Sequence, residues 1–225
     1  RIARQAGIPF HSDGIQAVGK IPVNLEALGV DYYAVSAHKF YGPKGVGALI
    51  ARNRAPLSPI LFGGRQERGR RPGTENVPGA VALAAAAELA IAKLENEACR
   101  LGRLRDRLEK CILDRIPGTG VNGAGAPRLP NTTNVYFEGI NAEALVIALD
   151  LKGFAVSTGS ACSSGKVEPS HVLLAMGVAP ERARASVRFS LGWTNTEQEV
   201  DALVEALAEA VEHLRRLAPS EVKYV

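Results

Sequence analysis

The sequence predicts an α/β fold, and three observations carry that expectation. Short apolar runs bounded by turn residues alternate with segments of helical periodicity. The order at the start of the chain is strand, helix, strand, the pattern of a sheet with helices on its faces. Hydrophobic residues make up 46% of the 225 positions, enough for a well-buried core in one large domain or two small ones.

Arg1 to Gly7 reads as the last turn of a helix running into a glycine stop, so the chain is expected to start in mid-domain, with neither an initiator Met nor a signal peptide. Ile8 to His11 is a short strand candidate, and Ser12-Asp13-Gly14 turns it into a helix over Ile15 to Gly19. Tyr32 to Ser36 forms a second strand. Ala37-His38-Lys39 leads from it to the glycine-rich turn Gly42 to Gly45, and Val46 to Ile50 gives a third strand. Pro56 to Asn76 is irregular and rich in Gly and Arg, a length that a compact domain keeps only for a function.

From Val77 to Ile116 apolar and charged residues recur at helical spacing, a helix long enough to leave one domain and enter the next. A boundary near Leu94 to Glu97 divides the chain into residues 1–95 and 96–225. Beyond Pro117 a Gly/Pro/Asn loop runs through Pro130. Thr132 to Phe137 then alternates as a strand, Asn141 caps a helix ending at Gly153, and Phe154 to Ser157 gives another strand. The loop Thr158 to Lys166 follows, and Pro169 to Gly177 has Pro just inside the start and Gly just past the end of a short helix. Arg184 to Leu191 reads as a strand. Thr196 and Glu199 are spaced as a capping box for a last helix that carries Val200, Leu203, Val204, Leu207, Val211 and Leu214 on one face.

Composition narrows the function classes. Lys+Arg 27 against Asp+Glu 23 leaves only +4, and Glu67 and Glu75 interrupt the one basic cluster, Arg65, Arg68, Arg70 and Arg71. Disorder is excluded, and nucleic-acid binding is not expected. The most apolar stretch, Val77 to Leu94, opens on Pro78-Gly79 and is broken by Glu88, short of the roughly 20 uninterrupted apolar residues of a membrane span. Cys99, Cys111 and Cys162 match no zinc spacing and make no disulfide framework, which fits a reducing, cytoplasmic compartment. Cys99 and Cys111, on the long helix, suit burial as small hydrophobes. Cys162 lies among Gly, Ser and Ala and is expected to be an exposed, mobile thiol.

Lys39 sits where a strand ends and a glycine turn begins, the place where α/β sheets hold ligands. A nucleophilic lysine must lose its proton, and a carbonyl cofactor such as pyridoxal phosphate takes the amine as a Schiff base. A solvated surface lysine is the commoner role of any single Lys. The partner set raises the candidate: Asp13 at the end of the first strand, with Gln16 three residues on, can keep a pyridine nitrogen protonated. On spacing alone Asp13 serves equally well as a helix N-cap.

Five ordered motifs resemble one family, the NifS/IscS-like cysteine desulfurases of the class-V aminotransferase type. They are His11 to Gly19, Ser36 to Gly45, Gly63 to Asn76, Gly159 to Ser164 and Val187 to Ser190. The resemblance covers essentially the whole chain. It implies the PLP-dependent transferase-like fold (aspartate aminotransferase fold type I), with an incomplete large domain followed by an α+β small domain that carries the cysteine loop. It also implies pyridoxal 5'-phosphate on Lys39, which would also shuttle the Cα proton. Asp13 would face the ring nitrogen and Gln16 the ring hydroxyl. Ser36 and His38 would bind the phosphate, with Thr74 reaching it from the neighbouring subunit of a homodimer, and Arg188 would hold the substrate carboxylate. Cys162 would take sulfur from L-cysteine as a persulfide, leaving alanine. It would pass that sulfur to an iron–sulfur scaffold or another acceptor protein, in cluster assembly or tRNA thiolation.

Ser-Ala-Cys-Ser-Ser around Cys162 looks like the branch with a long cysteine loop, while Gln66 stands where some relatives have His. His171 is expected on a solvated helix face, without chemistry. The family's longer chain supplies a Gly/Thr phosphate loop, a ring-stacking histidine and an asparagine from an N-terminal part absent here. A fragment inactive alone is therefore expected. A selenocysteine lyase or aminotransferase of the same fold is one rival reading, and a partner-binding remnant is another.

Overall fold

The structure, a computed structural model of the chain, describes residues 1–53, 55–158 and 169–217. Its contacts divide the chain into two compact units, Arg1–Glu97 and Ala98–Val225. Each unit contains a three-stranded sheet.

The first unit opens with α1 (Ile2–Gln5), stopped at Gly7, and β1 (His11–Asp13). The strand begins three residues later than the sequence suggests, because Pro9 has no N–H to give a ladder. Residues 15–19, expected as a helix, form a series of turns. Their hydrogen bonds mix three- and four-residue spans, and Gly19, at φ +74, interrupts any helical run. A short α2 (Leu25–Leu28), capped by Asn24 Oδ1, precedes β2 (Tyr32–Ser36). A one-turn 3-10 helix (Ala37–Phe40) follows, and then β3 (Gly47–Ala51). β1 pairs with β2 in parallel, Asp13 opposite Ala34, and β3 returns antiparallel. Residues 56–76 are irregular apart from the four-residue α3 (Gln66–Gly69).

α4 (Val77–Arg115) carries residues of both units. Contrary to the sequence expectation, an 18-residue stretch of it reaches a mean hydropathy of 1.6 with only 11% of it buried, so by length and composition it is apolar enough to cross a membrane. Its alanines and large apolar residues, Val81, Leu89 and Ile91 among them, outweigh Glu88 and Lys93.

In the second unit β4 (Thr119–Val121) occupies a stretch expected to be loop. It pairs with β5 (Thr132–Phe137), and β5 pairs antiparallel with β6 (Ser186–Ser190). Between β5 and β6 come α5 (Ala142–Asp150), capped by Asn141, then α6 (His171–Ala175) and α7 (Pro180–Arg184). α6 starts after Ser170, so Pro169 stands outside it, and Phe154 to Ser157 forms no strand beyond one bridge at Ser157. α8 (Glu197–Leu217) closes the described chain. Thr196 Oγ1 accepts from the Glu199 N–H and Glu199 Oε2 from the Thr196 N–H, the capping box that the spacing predicts.

The core of this unit joins Leu104, Leu108 and Ile112 of α4 to Val135 and Phe137 of β5, Val187 and Phe189 of β6, Leu145 and Leu149 of α5, and Leu207 of α8. Each large side chain so buried stabilises by about 1.5–3 kcal/mol. Cys111 packs half-buried against this core, but Cys99 is exposed, with the Arg103 guanidinium at its sulfur. Burial was expected of both. Cys99 lies two residues before Leu101, about 200° away round the helix, so it faces outward.

Candidate active site

The first unit places four of the candidate residues at one edge of its sheet. β1 and β2 run parallel, so Asp13 and Ser36 both stand at carboxyl ends of strands, where open α/β sheets hold ligands. The Gly14 N–H donates to the Ala34 carbonyl at 3.0 Å, fixing that register to the end of β1. Beyond Ser36 the chain makes its 3-10 turn with Ala37 and Phe40 buried, and His38 and Lys39 therefore project outward. Ser36 Oγ and His38 Nδ1 lie 2.9 Å apart, so a hydroxyl and an imidazole meet beside the lysine.

Asp13 is exposed, and its Oδ1 accepts the Ile15 N–H at 2.9 Å, so it shapes the turn that the sequence allowed as its alternative role. Its negative charge also acts on Tyr33. Burial first, and the Asp13 carboxylate second, push the Tyr33 phenol above its ordinary value. Gly14 is buried against that ring, and a Cβ there would fall inside it. Gln16 is exposed on the same turn. Thr74 is exposed just before α4, after Gly73, whose N–H donates to Gln66 Oε1 at 3.2 Å.

Arg188 belongs to the second unit. It sits at the centre of β6, opposite Asn134 of β5, between the buried Val187 and Phe189. On its other side it exchanges backbone hydrogen bonds with Ser157, N–H to carbonyl at 2.6 and 3.2 Å. Cys162 lies outside the described residues. His171 is exposed on α6, as expected.

Sequence reasoning missed one neighbour of Lys39. The Lys20 ammonium donates to the Lys39 carbonyl oxygen at 3.1 Å. Such a contact leaves no pattern of spacing, because the acceptor is backbone. Among the described residues no cluster of His, Cys, Asp and Glu is suited to a metal ion.

Comparison with known proteins places this geometry. The aminotransferase class-V family matches residues 1–203, a span that includes all of α4 and makes it a helix of that domain. A cysteine desulfurase of Trichormus azollae is 49% identical over 216 residues, 96% of this chain and 54% of that protein. One from Cereibacter sphaeroides is 50% identical over 218 residues, 97% of this chain and 56% of that protein. A solved NifS-like protein from Rickettsia africae ESF-5 superposes with a TM-score of 0.85 at 36% identity, covering 94% of this chain and 56% of that one. The chain thus spans about half the length of the curated relatives it matches. Over that span it has the α/β fold of the NifS-like proteins, and it belongs to the class-V aminotransferase family.

Proposed function

We propose that this chain forms part of a pyridoxal-phosphate-dependent cysteine desulfurase, which takes sulfur from L-cysteine and releases L-alanine. The observation that carries the reading is the cluster of Asp13, Ser36, His38 and Lys39 at the carboxyl ends of two parallel strands, in a chain 49% identical to a cysteine desulfurase. The donor set fits the cofactor. It offers an exposed amine for an aldehyde, a hydroxyl and an imidazole for a phosphate, and an exposed carboxylate for a ring nitrogen. When bound, pyridoxal phosphate supplies an electron sink that lowers the barrier to removal of the substrate Cα proton.

The roles of the chain's own residues follow. Lys39 holds the cofactor and then moves the Cα proton. Asp13 keeps the ring nitrogen protonated, Gln16 meets the ring hydroxyl, and Ser36 and His38 grip the phosphate with Thr74 of the partner subunit in a homodimer. Arg188 offers the substrate carboxylate two parallel hydrogen bonds. The Cys162 thiolate attacks the substrate sulfur, forming an S–S bond as the C–S bond breaks. That electron pair goes to Cβ, which takes up a proton to give alanine. The persulfide then passes to an acceptor such as an iron–sulfur scaffold protein.

Because the chain spans only about half of its relatives' length, the assay uses it together with the remaining part of such a protein. After incubation with cysteine, mass spectrometry is expected to find one added sulfur on Cys162, lost in Lys39→Ala and Cys162→Ala. Alanine and sulfide formation that survives Cys162→Ala would replace this reading with a lyase of the same fold.

A further inference from the structure

We infer that Lys20 is a positioning residue for Lys39, holding the turn that presents the Lys39 amine and bringing a second ammonium to that turn. This rests on Lys39 being the cofactor lysine of the reading above. The geometry begins with the segment after Asp13, which folds back through the hydrogen bonds Val18 N–H to Gly14 O, Lys20 N–H to Ala17 O and Ile21 N–H to Ala17 O, at 3.0–3.2 Å. That fold brings it against the 3-10 turn. Gly19 has φ +74, and a Cβ on it would lie 3.0 Å from Ala90 Cβ and 3.2 Å from Phe40 Cβ, so only a glycine lets the segment sit this close. From the next position the half-buried Lys20 reaches the Lys39 carbonyl at 3.1 Å.

That carbonyl belongs to the last turn of a helical element, where main-chain oxygens lack partners within the helix and a lysine often supplies one. The bond is charge-assisted, and it acts on the peptide of Lys39 itself. Phe40, buried on the next residue, and Ala37, buried two before, fix the remaining sides of the turn. Lys39 thus projects from a backbone held on three sides, and one of the three is a hydrogen bond from a charged donor. The two lysines also interact through charge. Burial first, and the positive charge of Lys39 second, lower the Lys20 ammonium below the ordinary lysine value, and no other charged group among the described residues contributes to that shift.

The test has two readouts. The first needs no cofactor: competitive acetylation across pH, read by peptide mass spectrometry, measures the Lys20 titration in the chain and in Lys39→Met. An upward shift in Lys39→Met is expected, and an unchanged midpoint would overturn the charge coupling. The second is reductive trapping of pyridoxal phosphate on Lys39, with the chain together with the remaining part of such a protein. Lys20→Met is expected to slow trapping by about tenfold, the loss typical of one hydrogen bond from a charged donor, and Lys20→Arg to restore most of it. Trapping at the wild-type rate in a folded Lys20→Met chain would overturn the positioning role. If Lys20→Met does not fold, Lys20→Gln, which keeps a donor without the charge, decides instead: wild-type trapping limits Lys20 to its hydrogen bond and refutes the second ammonium. Failure of wild-type Lys39 to trap the cofactor would refute the proposed function, while the acetylation readout still judges the contact between the lysines.

Discussion

Gly14 shows how little freedom the site leaves at single positions. Its backbone hydrogen bond to Ala34 ends β1, Asp13 precedes it, and the Tyr33 ring fills the space a side chain would need. Gly14→Ala forces the buried Tyr33 aside. The expected loss is about 1–3 kcal/mol of stability in denaturant melts, as for overpacking elsewhere. The displaced ring also leaves its place beside the Asp13 carboxylate, so the Tyr33 phenol in Gly14→Ala should titrate lower than in the parent by ultraviolet difference absorbance. At this scale the candidate residues stood out because an amine, an acid and a guanidinium each lie in a short pattern that resembles a family's motifs. Lys20 was not legible, since a side chain that meets a backbone carbonyl has no partner letter in the sequence. Nor was the exposure of Cys99. Its helix was expected, but which way that residue turned depended on where the stripe of Leu101, Leu104 and Leu108 found its partners.

Among elements, those with strong periodicity or a cap signal were legible. β5 alternates buried and half-buried residues along its length, and α8 begins at its capping box. β4 was missed because three residues in a glycine-rich stretch carry no alternation, and only pairing with β5 makes them a strand. The supposed helix over 15–19 did not form because Gly19, at φ +74, breaks a run that residue type alone allowed. The loop after β4 is tied to α4 by Arg128, whose guanidinium donates to both Glu109 oxygens, at 2.7 and 3.2 Å, with side-chain exposures of 20% and 14%. Burial works against ionisation of Glu109, but the hydrogen bond and charge of Arg128, with Arg105 beside it, outweigh burial and hold the carboxyl below its ordinary 4.5. The stability this contributes is fully present above that ordinary value and lost as the pH falls through the lower folded one. Arg128→Ala is therefore expected to cost about 1–3 kcal/mol at neutral pH. The difference from the parent should shrink as the pH falls below the ordinary carboxyl value and Glu109 takes up its proton, as acid titrations of urea unfolding would show.

Across the whole molecule, the two sheets divide the candidate residues, with Asp13, Gln16, Ser36, His38, Lys39 and Thr74 in one unit and Arg188 in the other. The α/β class was legible from the alternation of elements, whereas the hydropathy of α4 was underestimated, because single charges and a proline near its start weighed more in the reading than its many alanines. The second unit is closed by Arg100 of α4, which donates to the carbonyls of Gly192, Trp193 and Asn195 at 3.2, 3.1 and 2.7 Å, gathering the turn between β6 and α8. Arg100→Ala removes that donor and leaves the Gly192 carbonyl, among the described residues, with only the Asn195 N–H at 3.1 Å. It is expected to lower stability by about 1–3 kcal/mol and to speed hydrogen exchange at Gly192 and Asn195 before the rest of the unit.

The bridge between Ser157 and Arg188 has a mechanical consequence. The residue that leads toward Cys162 and the residue assigned to the substrate carboxylate are stitched main chain to main chain, like two ropes spliced at one knot. A pull on the first is felt at the second without any side chain in between, so Ser157 and the middle of β6 move as one piece.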